Sequence, residues 1–143
     1  MSAFRKNLHI TNDTKNLRVV REFLGEAIVV SGRVPADWQN KITLAVDEAI
    51  SNIIEHAYEA GQQGEIDVAI IITPEKFEVV INDAGREFEP EEIGEVDIAS
   101  HVSTRQKSGL GIFIMRRIMD EVKYTFKEGE KNELRMIKYF ARP

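Results

Sequence analysis

The apolar positions along the chain change period several times, and each change marks an element. Residues 3–10 place Phe4, Leu8 and Ile10 at nearly alternate positions, which predicts a first strand. Helical spacing follows in Leu17, Val20, Phe23, Leu24, Ala27 and Ile28, so a first helix is expected up to about residue 30, with caps offered by Thr11–Thr14. Ser31-Gly32-Arg33-Val34-Pro35 interrupts it, and Asp37 is placed to cap a second helix. There Trp38, Ile42, Ala45, Val46, Ala49, Ile53 and Ala57 line up as one stripe at about 100° per residue, ending near Gly61. Residues 65–73 and 76–82 read as two strands around the turn Pro74-Glu75, and therefore as an antiparallel hairpin. Residues 86–108 show no clean period. From Gly109 to Glu121 the chain is apolar nearly all round through Leu110, Ile112, Phe113, Ile114, Met115, Ile118 and Met119, which predicts a largely buried third helix. Residues 122–127 and 133–140 close the chain as two more strands.

This order, β-α-α-β-β-loop-α-β-β, predicts a two-layer α+β (α/β) sandwich. Its sheet is mixed but mostly antiparallel, with helices on one face. A doubly wound parallel sheet is excluded because strands and helices do not alternate. At 143 residues the chain is expected to be one domain with its own core. A net charge of −5 favours neither nucleic acid nor an anionic membrane. The absence of cysteine excludes disulfides and thiolate metal sites, and fits a reducing cytoplasm. The N-terminus has no signal-peptide core, and no run reaches the roughly 18 apolar residues of a spanning helix.

Three short patterns carry candidate chemistry. Glu48 and Asn52 are four apart on the second helix and share one border of its stripe. An amide carbonyl is a hard neutral ligand suited to magnesium, and a carboxylate one turn earlier can order a water or take a proton. The same pair also serves as plain solvation of a helix edge. Asp83-Ala84-Gly85 ends a strand: the carboxylate can accept from an exocyclic amine, and glycine permits a close backbone approach. The same residues suit an ordinary turn. Ser108-Gly109-Leu110-Gly111 opens a helix whose free N–H groups attract anions. It is neither a Walker loop nor a dinucleotide fingerprint, since no Gly-Lys-Ser/Thr follows and the third glycine position is Ile114. Arg105 and Lys107 precede it as phosphate-reaching cations or as solvated loop charges. His56 falls within the apolar stripe and reads as a packed histidine.

Order and spacing join these patterns. Glu-x-x-x-Asn on a helix, a hairpin, Asp-x-Gly, some twenty polar residues and Gly-x-Gly opening a buried helix together resemble the GHKL (Bergerat-fold) ATP-binding superfamily of gyrase B, MutL and histidine kinases. Within it, Asp47-Glu48-Ala49-x-x-Asn52-x-x-x-His56-Ala57-Tyr58, Ser108-Gly109-Leu110-Gly111-Ile112-x-Ile114-Met115 and Asn132-Glu133-Leu134 are most similar to the bacterial anti-sigma-factor serine/threonine kinases. The resemblance implies ATP and Mg2+ as cofactors, with Asn52 on the metal and Glu48 as general base. Asp83 would take the adenine amine, with Gly85 beside the ring, and residues 86–108 would form a lid. Gly109, Leu110 and Gly111 would hold phosphates, with Ser108 and with Arg105 or Lys107. It further implies a sigma factor and a small anti-anti-sigma antagonist of the STAS type as partners, and a homodimer. The alternative is a non-catalytic, nucleotide-gated binding module.

Overall fold

The computed structural model describes residues 3–58, 61–85, 107–125 and 131–141. Among them the elements run β1 (Phe4–Thr11), α1 (Asn16–Ser31), α2 (Trp38–His56), β2 (Glu65–Ile72), β3 (Lys76–Asp83), α3 (Lys107–Ile118), β4 (Glu121–Thr125) and β5 (Asn132–Tyr139). The strands form one sheet in the order β1-β2-β3-β5-β4. Every pairing in it is antiparallel, so the expected mixture of directions resolves to a single antiparallel sheet among the described residues.

Strand alternation decides which face is covered. Ile66, Val68, Ile70 and Ile72 of β2 lie opposite Asp83, Ile81, Val79 and Phe77 of β3, and the apolar ones among them are at most 1% exposed. Leu134 and Met136 of β5 continue the row. These side chains share one core cluster with Leu24 and Ile28 of α1, Ile42, Ala49 and Ile53 of α2, and Met115 of α3. The helices therefore lie on one face, as the patterning predicts. On the other face, the neighbouring positions Asn7, His9, Asp67, Ala69, Glu133 and Arg135 help line a cavity of about 580 Å³.

The termini of elements differ from the sequence expectation in instructive ways. Asp37 does occupy the N-cap of α2, yet no side-chain capping bond forms there. At α1 the N-cap is Lys15, whose N–H donates to Asp13 Oδ1 at 2.9 Å, so the Thr11–Thr14 stretch works through an aspartate turn. Gly32 ends α1 with φ 67°, the left-handed conformation in which a side chain is strained. α3 spans Lys107–Ile118, starting and ending earlier than its apolar run suggests. Over its described side chains, from Phe113 on, it is buried along one side: Met115 is fully covered, Phe113 is 38% exposed, and Arg116 and Arg117 face solvent. Two consecutive arginines set a limit on how much of a helix can be covered. After Ile118 the chain turns into the closing hairpin, with Asp120 N–H donating to the Ile137 carbonyl at 2.8 Å. His56 is not packed in the core. It lies at the last position of α2 with a side chain 29% exposed, 3.8 Å from Glu55.

Candidate functional site

The stripe that buries α2 also decides where its polar edge goes. Ala45, Val46, Ala49, Ile50 and Ile53 are all at most 1% exposed, so the helix is pressed against the sheet along most of its length. Asn52 is carried inward with them and is itself only 1% exposed. Among the described residues its Nδ2 has no hydrogen-bond partner. A buried amide left without a partner costs free energy and asks for a reason. Glu48, one turn earlier on the same helix, is half-buried.

The C-terminal end of α2 packs on the Asp83-Ala84-Gly85 turn. A Cβ at Gly85 would lie 2.5 Å from the Ala57 carbonyl oxygen and 2.7 Å from its Cβ, so only glycine allows this approach. Tyr58, 5% exposed, spans the junction: its hydroxyl donates to the Glu65 carbonyl at 2.9 Å and accepts the Ala84 N–H at 3.2 Å. Gly64 lies flat against the Tyr58 ring, where a Cβ would come within 2.1 Å of ring carbon. Burial, with the field of Asp83, pushes the Tyr58 hydroxyl above its usual range, so it stays a neutral donor.

Asp83 is 5% exposed at the end of β3. Its Oδ1 accepts from the Gly85 N–H at 2.9 Å and from Asn132 Nδ2 at 3.1 Å. Asn132 is its cross-strand partner on β5 and also donates to the Gly85 carbonyl at 2.8 Å. Among the described residues, no bond falls on Oδ2. Burial raises the Asp83 carboxyl above the ordinary carboxylate range, and the two donors pull it part of the way back. A buried, charged acceptor with one oxygen uncommitted is suited to a small polar donor such as an aromatic amine.

The fourth component is the start of α3, a helix that packs on α2. Lys107, Ser108, Gly109 and Leu110 form its first turn and Gly111 opens the second. The N–H groups of a first helical turn lack intrahelical acceptors and carry the positive end of the dipole, which suits phosphate oxygens. Arg105 and the rest of the expected lid, residues 86–106, lie outside the described residues; Lys107 and Ser108 already belong to the helix. The donor set therefore fits a magnesium-bound nucleotide: an orphan buried amide, a nearby carboxylate, a buried acceptor for an amine, and first-turn backbone amides.

Two residues of this arrangement, Tyr58 and Asn132, have no role that the sequence alone assigns beyond their place in the resemblance. The tyrosine's work depends on a helix end meeting a turn, and the asparagine's on a β3–β5 register that brings together positions 49 apart in the chain. No local signal carries either.

The comparison of sequences gives this architecture its class. Residues 10–138 match the model of the histidine kinase-like ATPase domain, and the chain belongs to that family. Among curated proteins it is similar to the serine-protein kinase RsbW of Listeria monocytogenes serovar 1/2a, with 37% identity over 92 residues, covering 62% of this chain and 59% of that protein. It is similar also to the serine-protein kinase RsbW of Oceanobacillus iheyensis, with 33% identity over 104 residues and 70% and 65% coverage. For that of Bacillus pumilus, identity is 31% over 94 residues, with 62% and 58% coverage. The matches thus span roughly three fifths of the length of these relatives.

Proposed function

We propose that the chain binds Mg-ATP between α2 and α3 and is an anti-sigma factor with protein serine/threonine kinase activity. In this reading it phosphorylates a small anti-anti-sigma antagonist of the STAS type and sequesters a sigma factor, acting as a cytoplasmic homodimer. The observation that carries the reading is Asn52, a buried amide whose nitrogen has no partner among the described residues, one turn from Glu48 and on the helix whose end cradles the Asp83 turn. A half-turn of that amide presents its carbonyl, a hard ligand for magnesium. The likeness to serine-protein kinases supports serine kinase chemistry.

Phosphoryl transfer asks a protein for positioning and charge neutralisation more than for covalent chemistry. Asp83 accepts the base's amine and fixes the nucleotide's register, while Gly85 keeps the backbone low beside the ring. Asn52 would hold the metal, whose charge would offset that of the phosphates. In the same reading the backbone amides of Gly109, Leu110 and Gly111 would take phosphate oxygens, helped by Ser108 and by Arg105 or Lys107. Glu48 accepts the proton of the attacking serine or threonine hydroxyl. The new phosphate adds about −1.5 to −2 charge to the antagonist, which expels it from the complex and frees the kinase for the sigma factor.

Incubation with ATP labelled in its terminal phosphate, magnesium and a candidate antagonist tests this. Label should pass to the antagonist with the parent protein and should not with Glu48→Gln, which still binds ATP. Undiminished transfer by Glu48→Gln removes that residue from the base role. ATP bound without transfer by the parent favours the nucleotide-gated binding module.

A further inference from the structure

Asn132 does more than pair two strands. Its Nδ2 has two hydrogens, and both of its neighbours, Asp83 Oδ1 and the Gly85 carbonyl, are acceptors. This fixes the amide with its nitrogen toward the turn and uses both hydrogens there. We propose that Asn132 is a positioning residue for base selection: by loading Asp83 Oδ1 and tying it to Gly85, it keeps Oδ2 as a bare acceptor, so that the site takes a 6-amino purine and rejects a 6-oxo purine. The inference rests on the reading that Asp83 receives the base.

The chemistry follows from what surrounds Asp83. Among the described residues no cation pairs with it, so dipoles alone hold its charge: the Gly85 N–H and the Asn132 amide. The titratable side chain facing it from the segment just after α2 is Tyr58, itself held neutral. From β2 its cross-strand neighbour is Ile66, and from β5 it is Asn132. A carboxylate accepts from the 6-amine of adenine. A carboxylic acid, in contrast, can donate to the 6-oxygen of guanine, which is an acceptor. Burial already pushes Asp83 toward its protonated form. The Asn132 amide opposes that shift, and so protects the choice of base. A hydroxyl in its place has one hydrogen and could serve only one of the two acceptors.

The test uses the full chain and two readouts: the titration of the Asp83 carboxyl by carbon-13 NMR without nucleotide, and the affinities for Mg-ATP and Mg-GTP at neutral and mildly acid pH. In Asn132→Ala the Asp83 midpoint should rise by about one pH unit and ATP affinity should fall about tenfold, the effect of one charge-assisted hydrogen bond. GTP affinity should fall less, so the preference for ATP narrows, most on the acid side. Asn132→Ser keeps one hydrogen and should lie between Ala and parent. Should Asn132→Ala fail to fold, the serine variant decides. A folded variant with the parent's Asp83 midpoint and the parent's ATP-to-GTP ratio overturns the proposal. Asp83→Asn separates the two levels. If it leaves ATP binding intact, the base lies elsewhere and the inference falls with the reading. If it abolishes binding while Asn132→Ala does not alter it, the inference alone falls.

Discussion

At the scale of single residues, the account turns on Asp83, a carboxylate kept where burial disfavours its charge. Its folded-state pKa lies above the unfolded value, so the folded form holds the proton better. The stability this gives is present below the unfolded pKa and is lost as pH rises through the raised, folded one. At neutral pH the charge is therefore a liability to the fold. Asp83→Asn should raise the melting temperature at neutral pH, by about 2–4 °C for each kcal/mol relieved, while weakening nucleotide binding by roughly 1.5–3 kcal/mol. Calorimetry and a binding titration on the same sample check both directions; a lower melting temperature would contradict the sign. Gly85 makes the complementary case. A methyl group there meets Ala57 within 2.5–2.9 Å, so Gly85→Ala should lower stability by about 1–3 kcal/mol in a denaturant titration. Asp83 and Gly85 were legible in the sequence as an Asp-x-Gly at a strand's end. Asn132 was not, because its partner is set by the pairing of distant strands.

At the scale of elements, the Tyr58 hydroxyl ties the end of α2 to the strands. Tyr58 joins the Glu65 carbonyl of β2 to the Ala84 N–H that follows β3. Tyr58→Phe should lower stability by about 1–3 kcal/mol, since two buried polar groups lose a partner, and should weaken nucleotide binding by loosening the turn. Unchanged affinity with lowered stability would reduce Tyr58 to a structural role. A second, milder device joins β1 to β2: His9 lies opposite Asp67 and bonds to its carboxylate at 2.6 Å, with Glu65 at 3.3 Å. The Asp67 hydrogen bond raises the His9 pKa, and His9 in turn is the main cause lowering that of Asp67. The histidine's contribution is present below its unfolded pKa and is lost as pH rises through the raised value. Melting temperature should therefore drift slightly down on crossing that window, and His9→Gln should flatten the drift. The elements were legible wherever period was strong, as in β2, β3 and α2. Their ends were less so, because the start of α1 depends on the Asp13 carboxylate taking the Lys15 N–H, and the end of α3 on where Asp120 meets β5.

At the scale of the whole molecule, an antiparallel sheet with helices on one face brings three distant stretches together. The polar edge of α2 and the turn after β3 are separate motifs in the chain that meet at one helix in the fold, and α3 packs on that same helix. That convergence is why three patterns, each ordinary alone, had meaning only in their order. The sequence could not show how far inward Asn52 is carried, since that depends on how deeply α2 settles on the sheet. The most direct measurement is a crystal structure with magnesium and a non-hydrolysable ATP analogue. The account predicts adenine on Asp83, the metal at Asn52 and phosphates over the first turn of α3. A base bound elsewhere, or a crevice between α2 and α3 that stays empty, would contradict it.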